Sequence, residues 1–312
     1  MAMAPRSMWN TLVQYKGFWD RNGRQLFSSN TGNQKRGPVM SKPMVFGVEN
    51  IIAISSGKGG VGKSTTAVNL AVALAMECRL RVGLLDADVY GPSIPTLMKL
   101  DGRPQLDSES KMIPMENYGV RCMSMGLLMD KDSPAVWRGP MVMSALEKLV
   151  RGTAWGKLDI LVIDMPPGTG DAQISISQRL PLAGAVIVST PQDIALIDAR
   201  RGANMFRKVD VPILGLIENM SYFKCPNCGE RSHIFGHGGA RATAEEMDMN
   251  FLGEVPLNVE IRQTSDAGSP IVASAPNSEA SKVYRGIAVE IASKLKDWVS
   301  SGVGAGPRIT VE

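Results

Sequence analysis

The 312-residue chain is predicted to fold as one α/β domain, a mostly parallel sheet flanked by helices on both faces. Two observations predict it. From Asn50 onward, short β-type apolar runs alternate with helical patterns, which is the signature of βα units. Those runs are almost continuously apolar, as strands buried on both faces must be. A hydrophobic content of 44% over this length can fill a large core, and no stretch approaches the ~20 apolar residues of a membrane span.

The elements follow in order. Ile51–Ser55 reads as the first strand, and a helix runs from the glycine-rich turn behind it to about Cys78. Arg81–Asp86 is the second strand. Asp159–Asp164, Gly184–Ser189 and Ile213–Glu218 are further strands, with helices near 141–151, 172–180 and 193–207. A Gly-, Cys- and His-rich insertion covers about 222–239. A strand at Phe251–Val255 and a helix at Glu279–Val299 complete the domain, which spans 43–299 without an internal repeat. Residues 300–312 are glycine-rich and predicted disordered.

Residues 1–42 differ from the rest. They carry seven basic residues against the single acid Asp20 and are rich in Ser and Asn, a composition that suits an organellar transit peptide. The whole chain is +4, so the body is mildly acidic, at −2. A role in nucleic-acid binding loses its main support there. Four cysteines, at 78, 122, 225 and 228, are too few for a disulfide framework. Cys78 and Cys122 fall in predicted buried elements and read as core thiols.

Behind the first strand, Gly57-Lys58-Gly59-Gly60-Val61-Gly62-Lys63-Ser64-Thr65 satisfies the phosphate-loop pattern GxxxxGK[ST] between a strand and a helix. Glycines let backbone N–H groups close around phosphate oxygens, and the helix N-terminus adds a favourable dipole. Lys63 supplies charge to the β- and γ-phosphates, and the Ser64 hydroxyl can ligate Mg²⁺. The second strand ends in Asp86-Ala87-Asp88, where strand C-termini face the ligand crevice, within reach of metal and γ-phosphate. Asp164 ends another strand and opens Asp-Met-Pro-Pro-Gly-Thr-Gly-Asp, in which Gly168 is placed to donate its N–H to the γ-phosphate. No NKxD guanine signature occurs, so ATP is the expected nucleotide.

Lys58 sits too early in the loop to reach its own γ-phosphate easily. Here the sequence resembles the deviant Walker A ATPases, which include the Min and Par positioning ATPases and the arsenite and tail-anchored-protein ATPases. The resemblance implies a homodimer with ATP sandwiched between protomers and Lys58 reaching the partner's nucleotide. It also implies that Asp88 orients or deprotonates the attacking water, that Asp86 sits nearer Mg²⁺, that Asp164 is the Walker B aspartate, and that Asn219 contacts adenine.

Cys225-Pro-Asn-Cys228 has the spacing of a metal knuckle, with His233 and His237 close behind. A Cys₂His₂ zinc site, a redox pair, an inert surface pair and a cluster shared by two copies all remain open on spacing alone. The wider pattern narrows them. GKGGVGKST, DADVYGPSIP, VWRGPM, DMPPGTGD, STPQDIAL and IENMSYFKCPNCG together resemble the Mrp-type iron–sulfur carrier ATPases over about residues 43–298. The basic leader and the lack of an N-terminal four-cysteine cluster look most like that family's mitochondrial, NUBPL-like branch.

The resemblance implies a dimer holding a [4Fe–4S] cluster between paired Cys225 and Cys228, with ATP and Mg²⁺ at the phosphate loop. It further implies delivery to apo iron–sulfur proteins, complex I subunits among them, in the mitochondrial matrix, with at most peripheral membrane contact and no nucleic-acid partner. The competing expectation is a zinc-stabilised ATPase of the partitioning or positioning type. Arg138, in Trp-Arg-Gly-Pro, is expected to be structural.

Overall fold

The computed structural model describes residues 44–129 and 139–300, so the leader, Arg138 and the last twelve residues lie outside the described part. The strands are β1 (Val48–Ser55), β2 (Val82–Asp86), β3 (Met115–Asn117), β4 (Val120–Ser124), β5 (Leu158–Asp164), β6 (Leu182–Ser189), β7 (Ile213–Lys224), β8 (Arg231–Ser232) and β9 (Phe251–Leu257). They form one sheet in the order β3-β4-β2-β5-β1-β6-β7-β8, with β9 also paired to β7. Only the edge pairs β3–β4 and β7–β8 are antiparallel. The interior ladders, such as β1 with β5 and β6, are parallel.

Strand periodicity decides which residue faces which layer. Ile52 and Ile54 of β1 point into one core with Leu70 and Leu74 of α1 (Lys63–Met76) and Tyr284 and Ile287 of α9 (Glu279–Ser300). Ile51 and Ala53 point into the other, with Leu146 of α3 (Gly139–Arg151), Ile176 of α4 (Asp171–Arg179) and Phe206 of α5 (Asp193–Lys208). A third, smaller cluster joins α5 to α6 (Gly239–Glu246) beside β7. The short helices α2 (Ile94–Leu97), α7 (Val259–Asp266) and α8 (Ile271–Ser274) close the edge near α1.

The predicted three-layer arrangement therefore holds, and most predicted elements lie within a few residues of their observed ends. Two differences matter. β3 and β4 have no counterpart in the reading of the sequence, because Val120–Ser124 is short and carries Arg121 as its second residue. β7 continues six residues past Glu218, so the cysteine insertion grows directly out of a central strand. Among the described residues no helix is long and apolar enough to cross a membrane. Cys122 is fully buried, and burial raises its thiol pKa, as expected of a core cysteine. Cys78 is half-buried and raised for the same reason.

Candidate functional site

The phosphate loop follows β1 and leads into α1. Gly62 caps the helix with φ +82°, a left-handed backbone that only glycine adopts without strain. A Cβ there would also lie 2.1 Å from the Asn219 amide nitrogen. Gly57 is pinned from behind, since a Cβ on it would fall 2.2 Å from the Asp198 backbone of α5. Gly59 and Gly60 are exposed and face open space, while Val61 is buried beneath them. No side chain caps α1 and its first turn holds no acid, so the positive end of the helix dipole is left for an anion. The Thr65 carbonyl is taken by Asn69, inside the helix.

Lys63 is buried and its Nζ lies 2.5 Å from Asp164 Oδ1 and 3.2 Å from Ser64 Oγ. The other Asp164 oxygen, Oδ2, is buried without a partner. An unpaired carboxylate oxygen next to the half-buried Ser64 hydroxyl is the oxygen-only donor set that Mg²⁺ and its waters accept. Burial pushes the Asp164 carboxyl upward, and Lys63 opposes that shift.

Asp86 stands beside Asp164 in register on the neighbouring strand. Its carboxylate is tied into the fold: Oδ2 accepts from Ser93 N–H, Ile94 N–H and Ser124 Oγ, and Oδ1 accepts from Asp88 N–H. Four donors at 3.0–3.1 Å thus make Asp86 a loop anchor as well as the strand-end carboxylate expected nearer Mg²⁺. Burial, then the Asp164 charge, pushes it up to about 7. Asp88 is half-buried, and its Oδ1 accepts from Gly91 N–H at 3.3 Å. Lys58 is half-buried in the loop, its carbonyl accepting from Ser56 Oγ.

Gly168 N–H donates to the Ser56 carbonyl at 3.0 Å, tying this segment to the backbone just ahead of the phosphate loop. Asn219 is buried and donates from Nδ2 to the Val61 carbonyl at 2.8 Å. Its amide is a strut under the phosphate loop, and Oδ1 and the second Nδ2 hydrogen are not used by that bond.

Six residues beyond Asn219 lies Cys225, and the strand between them is bent. Met220 has φ +57°, and the pairing of β7 with β9 slips between Asn219 and Phe223. The turn that follows is closed by Gly229 N–H to Cys225 O and Cys225 N–H to Glu230 O, both 2.9 Å, with Gly229 at φ +75°. Backbone N–H groups of Cys228 and Asn227 face the Cys225 sulfur and lower its pKa, which favours the metal-binding thiolate. Both cysteines are free, and Cys228 is exposed. The histidines do not join them: His233 turns its Nδ1 to the Ser221 carbonyl and lies edge-on to Tyr222, and the His237 ring lies tilted against His233, 4.2 Å between centres. Among the described residues no group of three His, Cys, Asp or Glu is poised around one metal position. One chain thus offers two sulfur ligands, and a four-thiolate site requires two chains.

Two anchoring carboxylates beside the site escaped the sequence. Glu218 accepts from Ala240 N–H and anchors α6 beside the insertion. Glu279 binds Tyr222, Lys224 and Arg231 of the cysteine hairpin. No local signal marks Glu279, which lies 55 residues after Lys224.

Comparison with known proteins places this geometry. A family model described as ParA, NUBPL iron-transfer P-loop NTPase, matches residues 47–292. The Arabidopsis thaliana protein named "Iron-sulfur protein required for NADH dehydrogenase, mitochondrial" is 64% identical over 253 residues, covering 81% of each chain. The Mus musculus "Iron-sulfur cluster transfer protein NUBPL" is 56% identical over 282 residues, covering 88% of each. Among solved structures, the nucleotide-binding protein of Archaeoglobus fulgidus in complex with ADP matches with a TM-score of 0.63 at 39% identity, over 71% of this chain and 87% of that one. Agreement of that extent, in sequence and in fold, makes the chain a member of the NUBPL iron-transfer P-loop NTPase family.

Proposed function

We propose that the chain is an ATP-dependent scaffold and carrier of [4Fe–4S] clusters, working as a homodimer in the mitochondrial matrix and delivering clusters to apo-proteins that include complex I subunits. The observation that carries this reading is the exposed Cys225–Cys228 knuckle, whose thiolate-favouring turn is an outgrowth of the strand that braces the phosphate loop. The names of the Arabidopsis and mouse relatives support the cargo, the recipient and the organelle. Two thiols per chain support a cluster shared between copies.

Lys63, Ser64 and Asp164 are the residues that bind Mg²⁺-ATP in this reading, with Asp88 directing water and Lys58 serving the partner's nucleotide. ATP binding draws the protomers together, and hydrolysis releases that geometry and changes cluster lability. The zinc-stabilised alternative is disfavoured because, among the described residues, no group of three His, Cys, Asp or Glu gathers around one metal position.

Iron, sulfide and zinc per protomer, on anaerobically purified protein beside Cys228→Ala, test the proposal. About two irons per protomer, lost in the variant, are expected for a four-iron cluster shared by two chains. About one zinc and no iron per protomer overturns the carrier reading.

A further inference from the structure

The cysteine hairpin is held from outside itself. Its strands share only the Phe223–Ser232 and Lys224–Arg231 pairings, and two-stranded hairpins are marginal on their own. Three side chains from its two strands converge instead on one carboxylate, Glu279, the first residue of α9. The Tyr222 hydroxyl donates to Oε1 at 2.9 Å, Arg231 donates to the same oxygen at 2.8 Å, and Lys224 Nζ donates to Oε2 at 3.0 Å. The Arg231 guanidinium also lies over the Tyr222 ring, 4.3 Å from its centre. Tyr222 is 5% exposed, so one of the three bonds is anchored in the core.

The other end of this arrangement reaches the phosphate loop. A carboxylate in the first turn of a helix is favoured there by the helix dipole. α9 packs on α1 through Tyr284, Ile287 and Ile291 against Leu70 and Leu74, and Arg285 of α9 pairs with Glu77 at the end of α1. α1 is the helix that begins at Lys63. A single exposed ion pair contributes little, but three donors on one carboxylate, one of them a buried phenol, leave the hairpin a single orientation.

We infer that Glu279 is a positioning residue for the cysteine pair: it sets the direction in which Cys225 and Cys228 project and thereby the rate at which a thiolate-held cluster is released. The inference rests on the reading of those two cysteines as cluster ligands. A merely structural Glu279 would alter the melting temperature and leave the cluster's electronic signature and release unchanged.

The test compares full-length wild type, Glu279→Gln, Glu279→Ala and Tyr222→Phe, each reconstituted anaerobically with iron and sulfide. ATP affinity serves as the check of folding, because Glu279 lies outside the phosphate site. Cluster loss to a chelator is expected to be about fivefold faster in Glu279→Ala than in wild type, the scale of one lost exposed network contact. The electron paramagnetic resonance spectrum of the reduced cluster is expected to shift with it, and Glu279→Gln and Tyr222→Phe are expected to fall between. If Glu279→Ala does not fold, those two milder variants carry the same comparison. Wild type that holds a cluster, with variants identical in loss rate and spectrum, overturns this inference alone. Wild type that takes up no cluster overturns the carrier reading and the inference with it.

Discussion

Lys63 and Asp164, 101 residues apart in the chain, form a closed ion pair at 2.5 Å beneath the phosphate loop. In the proposed reading the pair joins the residue that meets phosphate to the residue that meets metal. Phosphate and Mg²⁺ would then each supply the charge that the partner side chain supplies in this structure, so that nucleotide binding exchanges one set of buried charge pairs for another. That exchange keeps charges compensated in a region where an unpaired ion is costly.

Breaking the pair from one side is therefore expected to destabilise the fold. Lys63→Ala strands a buried carboxylate and is expected to cost about 3 kcal/mol by urea denaturation. Adding Asp164→Asn removes the stranded charge and should recover most of that loss. Nucleotide binding should be lost in both variants, which separates the stability effect from the ligand effect.

Asp86 makes stability depend on pH in a defined window. Its folded pKa is raised from the ordinary carboxylate value to about 7, so the folded chain holds the additional proton between the two values. The group's contribution is fully present below about pH 4 and is lost as pH rises through about 7. A denaturation series across that range should show stability falling with rising pH, and Asp86→Asn should flatten the slope. Asp86→Asn is also expected to be less stable throughout, because one amide oxygen cannot replace a carboxylate accepting from four donors.

Asn219 is expected to act through the loop it props. Asn219→Ala removes the bond to the Val61 carbonyl and should weaken ATP binding about fivefold, the scale of one buried hydrogen bond. Calorimetric titration with ATP and with GTP separates this from base recognition. Equal weakening for both nucleotides indicates the strut, and selective weakening for ATP indicates an adenine contact.

Gly62→Ala meets two obstacles at once, the positive φ and the Asn219 side chain 2.1 Å from the new methyl. It should lower the melting temperature and abolish nucleotide binding. Asn219→Ala in the same chain relieves the overlap without relieving φ, so binding should return only in part.

Lys58→Ala should leave ATP affinity close to wild type and lower hydrolysis by about 10³-fold, the scale of a charge supplied in trans to phosphoryl transfer. Mixing it with an excess of Lys63→Ala protein tests the direction of action. A lysine that serves the partner's nucleotide restores hydrolysis in mixed dimers, and one that serves its own does not.

Much of the fold was legible because its signals are local. The strand at Ile51–Ser55, the glycine loop and the following helix are read from runs of adjacent residues, and Gly62 at φ +82° is where the motif needs it. Legibility stopped where a short element depends on its neighbours. β4 carries Arg121, whose guanidinium donates to the Trp155 carbonyl and so tolerates a strand that periodicity alone discounts. The orientations of Asp86 and Gly168 were likewise hidden, since both are set by Ser56, Ser93, Ile94 and Ser124, backbone and side chain that arrive by folding.

The sequence by itself determined the α/β class, the phosphate loop, the carboxylates at the strand ends and the paired cysteines. Each of these is encoded by residue types at fixed short spacing, where backbone geometry leaves little choice. Only the tertiary structure decided that Asp86 is an anchor, that Asn219 braces Val61, that the histidines and cysteines do not gather around one metal position, and that Glu279 grips the hairpin. These relationships join residues far apart in the chain, and their geometry is set by how the sheet and helices pack.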